Sequence, residues 1–146
     1  MAIIKAINIS TKKGVPKEPI PEGEFIVDFG LKGDAHGGNW HRQVSLLGQE
    51  SIDKMAATGI EGLCTGKFAE NLTTEGIELY TLPVGTRFEI NDILFEVTQI
   101  GKECHKGCAI LKQVGDCVMP REGIFAKVLK GGIVRPGDEI KLVTNP

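Results

Sequence analysis

Apolar runs in this chain are short, and Gly, Pro or an Asn-Asp pair cuts nearly every one within about eight residues. That punctuation leaves little room for long helices and favours many short strands joined by turns. Nineteen of the 146 residues are glycine. Ala2 to Ile9 reads as a strand, followed by a polar, proline-containing loop from Thr11 to Glu22. Phe25, Val27 and Phe29 alternate with Ile26 and Asp28, which predicts a strand leading into the glycine-rich stretch Gly30 to Gly38. Val44 to Leu47 is a short apolar strand. Gln49 to Ala57 reads as a helix, with Ile52, Met55 and Ala56 on one face and Gly59 as its left-handed cap. Thr86 to Ile90 and Ile93 to Ile100 form a hairpin around Asn91-Asp92, with Ile93, Phe95 and Val97 facing the core. A second helix is predicted from Pro120 to Lys130, on the i,i+4 pairs Ile124/Val128 and Phe125/Leu129, ending at Gly131-Gly132. Pro136-Gly137 turns the chain into a last strand, Glu139 to Val143. The expectation is one mostly β, barrel-like domain over residues 1–146 with two or three short helices.

Charge and hydropathy narrow the function. A net charge of −2 and a pI near 5.9 argue against general nucleic-acid binding. No apolar stretch approaches the roughly 20 residues needed to span a bilayer. Met1 to Asn8 is too short and too regularly patterned for a secretory signal, so a cytoplasmic, reducing location is expected. There the four cysteines are free thiols or metal ligands rather than disulfides.

Three of those cysteines fall between Cys104 and Cys117, and the segment Cys104-His105-Lys106-Gly107-Cys108 follows a predicted strand. Three readings compete. A reactive thiolate or sulfur carrier needs a lowered thiol pKa, which nearby cations and a helix N-terminus supply. From Lys102 to Arg135 there are seven Lys or Arg against three Asp or Glu, inside a chain that is negative overall. That local excess favours both a thiolate and an anionic ligand, although lysines on solvated faces would give the same count. A zinc site is the second reading, with Cys104, Cys108, Cys117 and His105 as ligands, but the spacing lacks the paired C-x2-C knuckles of specific zinc signatures. The third is that cysteines are small buried hydrophobes, which suits Cys64 and Cys117 better than Cys104 and Cys108.

A second constellation runs from Gly30 to Val44. It gathers His36, Trp40, His41 and Arg42 on a glycine-rich loop, where backbone amides approach a ligand closely and Arg42 offers a planar fork for phosphate or carboxylate. The plainer alternative makes His36 and His41 loop histidines bonded to backbone. Glu70-Asn71 is a candidate acid/base or ligand-supporting pair, but such a pair more often satisfies backbone donors in a turn.

Three stretches taken together resemble the MOSC domain family, named after the C-terminal domain of molybdenum-cofactor sulfurase. They are G-x-K-G-D-x-H…H-R-Q-V-S-L-L from Gly30, Gly66-Lys-Phe-Ala-Glu-Asn-Leu-Thr-Thr-Glu-Gly-Ile77, and the cysteine segment followed by Gly137-Asp138-Glu139-Ile140. The resemblance covers about Glu24 to Val143. It implies a barrel-like β fold and a cysteine that carries sulfur as a persulfide or ligates molybdenum in molybdenum-cofactor (molybdopterin) chemistry. Catalytic and metal-ligand roles then fall on Cys104 and Cys108, with Cys104 favoured because it directly follows the strand. His36, His41, Arg42, Lys106 and Arg121 would contact the anionic cofactor. Some members reduce N-oxygenated compounds, so a cofactor-dependent reductase and a non-catalytic zinc-stabilised binding domain stand as alternatives. Ala35 departs from the Arg many members carry between the motif's Asp and His, which removes one anion contact. Nothing in the chain resembles a pyridoxal-phosphate domain, so sulfur is expected from an external donor or a molybdoenzyme partner.

Overall fold

A computed structural model describes residues 2–11, 17–35, 37–40, 42–56, 70–100 and 123–143. The strands are β1 Ile3–Ile9, β2 Glu18–Ile20, β3 Gly23–Ile26, β4 Gly30–Leu31, β5 Val44–Gly48, β6 Leu72–Glu75, β7 Arg87–Ile90, β8 Ile93–Ile100, β9 Ile124–Lys130, β10 Gly132–Val134 and β11 Ile140–Leu142. One helix, α1, spans Gln49–Ala56, and a 3-10 turn spans Leu79–Thr81. Eight strands form one sheet in the order β11-β7-β8-β9-β5-β6-β1-β2, and β10-β3-β4 form a smaller one. The large sheet curls until β1 meets the chain entering β11. Ile3 bridges Glu139, the Ile4 amide donates to the Asp138 carbonyl at 2.8 Å, and the Gly137 amide donates to the Ile4 carbonyl at 2.7 Å. The mostly β, barrel-like expectation holds.

Alternation sets the core. Val44 and Leu46 of β5, Leu72 of β6, Phe95 and Val97 of β8, and Ile124, Ala126 and Val128 of β9 point inward into one buried cluster. Phe95 stacks on Phe88 with centroids 5.1 Å apart and meets Phe25 edge-on at 5.4 Å. Phe25 belongs to the small sheet, so the aromatic trio ties the two sheets together.

The hairpin around Asn91-Asp92 forms as expected, with Asn91 at a φ of 57°. The helix begins at Gln49 and Ile52 is buried; Ala57 and Gly59 lie outside the described residues.

Three expectations need correction. The predicted helix over Pro120–Lys130 is, from Ile124 onward, the strand β9, held between β5 and β8; residues 120–122 lie outside the described residues. Its first three residues are buried on both faces, and such a run shows no clean period of two. The strand expected through Phe29 stops at Ile26, because Asp28 adopts a φ of 60° and Val27 turns out to solvent in a three-residue hairpin. Gly30 then takes a φ of 110°, and a Cβ there would lie 2.3 Å from the Gln43 carbonyl oxygen. The polar loop Thr11–Glu22 also contains β2, an edge strand on which Pro19 removes no shared ladder bond.

Candidate functional site

The outer face of the curled sheet, opposite the apolar core, is polar where β9, β5, β6 and β1 lie side by side. Gln99, Phe125 and Ser45 share that face as register neighbours, and Asn71, Thr73 and Asn8 continue it. Ser45, Asn71, Thr73 and Asn8 are all buried. Buried polar groups at this density require partners, and they have them. The Ser45 amide donates to Asn71 Oδ1 at 3.0 Å, the Asn71 amide donates to Ser45 Oγ at 3.0 Å, and Asn71 Nδ2 donates to the Asn8 carbonyl at 3.3 Å. Asn8 Nδ2 donates to Thr73 Oγ1 at 3.0 Å, and that hydroxyl donates to Glu70 Oε2 at 2.7 Å. Asn71 thus satisfies backbone groups of β5 and β1, the structural role that the plainer reading of Glu70-Asn71 assigned it. Glu70, which accepts from Thr73 in this relay, is fully buried.

The same network holds a buried ion pair. Lys17 Nζ lies 2.7 Å from Asp34 Oδ1, with both side chains completely inaccessible to solvent. Lys17 also donates to Ser10 Oγ at 3.2 Å, and the Ser10 amide donates to Asp34 Oδ1 at 3.1 Å. Burial pushes the Asp34 carboxyl up. The Lys17 hydrogen bond, the Ser10 amide, the Lys17 charge and the Asn71 side chain outweigh it and hold the carboxyl below its ordinary range. The two motif blocks Gly30-to-Val44 and Gly66-to-Ile77 therefore meet physically, at Asp34 and Asn71. Lys17 went unnoticed in the sequence because its Pro-flanked loop looks solvated.

Of the residues assigned to the cysteine chemistry or to anion contacts, Arg42 alone lies within the described residues. Its Nε donates to Gln99 Oε1 at 3.1 Å and its guanidinium stands 5.2 Å from the centroid of Phe125. Among the described residues no carboxylate pairs with it. Gln99 and Phe125 are register partners one step from the pair Ile100 and Ile124, where the chain leaves β8 and re-enters at β9. The intervening segment carries Cys104, Lys106, Cys108 and Arg121, and these lie outside the described residues, as do His36 and His41. Of the other described cations, Lys17 pairs with Asp34, and Lys127, two residues beyond Phe125 on β9, pairs with Glu96. Among the described residues no three His, Cys, Asp or Glu groups cluster to hold a metal ion.

A family model for the MOSC domain matches residues 32–141. The chain belongs to the MOSC domain family. Structures similar to this MOSC chain include the YuaD protein of Bacillus subtilis, at a TM-score of 0.81 and 19% identity over 100% of this chain and 98% of that one. The YiiM proteins of Geobacillus stearothermophilus (TM-score 0.76, 21% identity, 99% and 76% covered) and Escherichia coli (0.70, 21%, 100% and 71%) share the fold as well. No curated protein matches the sequence at a significant level. The MOSC family is associated with molybdenum-cofactor systems, and no helix of the described residues is long and apolar enough to cross a membrane.

Proposed function

We propose that this MOSC domain carries sulfur on, or ligates molybdenum through, a cysteine of the 104–108 segment, and that Arg42 contacts the anionic part of the cofactor. The observation that carries the reading is the placement of Arg42. It is a half-buried cation without a carboxylate among the described residues, fixed by Gln99 and Phe125 beside the strand ends that bracket the cysteines. A guanidinium held this way fits a phosphate or oxo group, because its plane is pre-oriented before the ligand arrives. Bound molybdenum cofactor would supply a metal centre that accepts a thiolate. In the carrier role, a thiolate at Cys104 or Cys108 attacks the outer sulfur of a donor persulfide, takes that sulfur and releases the donor's thiolate. His36, His41, Lys106 and Arg121 complete the proposed anion contacts, and the cytoplasmic location belongs to the same reading.

The test is purification without chelators from a host that makes molybdenum cofactor, followed by elemental analysis and intact mass. Molybdenum, or a cysteine adduct of one sulfur, is expected in the wild type and lost in either Cys104→Ser or Cys108→Ser. Arg42→Gln should lower molybdenum occupancy while leaving a sulfur adduct in place. Neither molybdenum nor added sulfur in the wild type rejects the proposal. Stoichiometric zinc, with stability lost on chelation, points instead to the zinc-stabilised domain.

A further inference from the structure

Strict alternation along β8 would turn Gln99 into the core. Phe95 and Val97 point inward, so residue 99 is due on their side. It does not go there, because the β8–β9 register slips between Val97 and Gln99. Val97 pairs with Ala126, and Gln99 pairs with Phe125, only one step further along β9. Thr98 is the extra residue, and the bulge it makes brings Gln99 to the outer face beside Phe125. Bulges re-aim side chains, and this one aims Gln99 at Arg42, whose Nε donates to Gln99 Oε1 at 3.1 Å.

A guanidinium has two forks for an oxyanion, one made by Nε with a terminal nitrogen and one made by the two terminal nitrogens. Gln99 takes Nε, and the Phe125 ring, its centroid 5.2 Å from the guanidinium carbon, backs the group. Among the described residues neither terminal nitrogen has a hydrogen-bond partner, so the end-on fork remains. Gln99 is also neutral. A carboxylate in its place would hold Nε equally well but would cancel the charge. Glu96, the carboxylate on the same face of β8, is turned to Arg87 and Lys127, at 3.2 Å from each. We infer that Gln99 is a positioning residue, which presents the end of Arg42 to two oxygens of a phosphate group and leaves the cation its full charge. This rests on the reading of Arg42 as an anion contact, and adds to it the ligand's chemical class and the direction of its approach.

Isotope-labelled protein titrated with methyl phosphate, and in parallel with acetate, at constant ionic strength tests the inference. The probe is the Arg42 Nε–H resonance, identified by its loss in Arg42→Gln. Wild type should show saturable shifts of that resonance and of the Phe125 amide, at lower concentration with methyl phosphate than with acetate. Gln99→Glu should keep the Nε–H resonance yet bind methyl phosphate about tenfold more weakly, since a paired guanidinium has lost its charge assistance. Gln99→Leu should lose the protected resonance and bind about threefold or more weakly, because the freed side chain must be ordered by the ligand. Dispersed amide spectra verify that each variant folds. Wild-type affinity in either Gln99 variant overturns the positioning role, acetate binding as tightly as methyl phosphate overturns the ligand class, and no saturable shift in the wild type overturns both. The cysteine chemistry is judged separately. Full molybdenum occupancy in Gln99→Glu would overturn the inference and leave that chemistry standing. A wild type that binds methyl phosphate as expected but carries neither molybdenum nor added sulfur upholds the inference and rejects that chemistry.

Discussion

Two side chains, Lys17 and Asp34, carry more consequence than their places in a polar loop and a glycine-rich motif suggest. Removing one member of a buried ion pair strands the other charge, and the cost is about 3–5 kcal/mol. Lys17→Met and Asp34→Asn should each lower unfolding stability by that order in urea titrations, whereas the double substitution should cost less than the sum. The acid dependence follows from the depressed Asp34 carboxyl. Its stabilisation is fully present above the ordinary carboxylate pKa and is lost as pH falls through the lower folded value. Stability measured from pH 5 downward should therefore fall less steeply in Asp34→Asn than in the wild type. Asp34 was visible in the sequence as a motif residue, but its burial was not, because its partner sits 17 positions away and only the fold brings them together.

At the scale of the element, β9 shows where local pattern misleads. Ile124/Val128 and Phe125/Leu129 satisfy helical spacing, yet Ile124, Ala126 and Val128 also alternate inward, and Phe125 is buried on the other face. Only the neighbours on both sides decide between the two, and they are β5 and β8. The edge of that arrangement leaves one backbone donor to a side chain. β5 begins at Val44, opposite Ala126, so the Val128 amide donates instead to Gln43 Oε1 at 2.9 Å. Gln43→Ala should then cost about 1–3 kcal/mol by orphaning a buried amide, and Gln43→Glu should recover part of it. The hairpin of β7 and β8 and the strands β1 and β5 were legible because each has a clear period or turn. β2, β6 and β10 are three or four residues long, too short to show a period of their own. Of the residues assigned to the cysteine chemistry or to anion contacts, Arg42 alone lies within the described residues, and its partners Gln99 and Phe125 arrive from distant strands that no local motif announces.

Across the whole molecule, Phe95, stacked on Phe88 within the large sheet, joins the small sheet through Phe25. Phe95→Ala should cost about 3–5 kcal/mol, and near- and far-ultraviolet signals should still unfold together, because both sheets lose the same contact. A transition that splits in two would mean that the small sheet has a stability of its own. The pairing of Ile100 with Ile124 reaches further than stability. It sets the two ends of the 101–122 stretch side by side as register partners, so the sheet itself fixes where that stretch departs and where it returns. Arg42, tied to Gln99 one step from that junction, hangs on the same ladder, so a change that loosens the end of β8 moves the guanidinium as well as the strand.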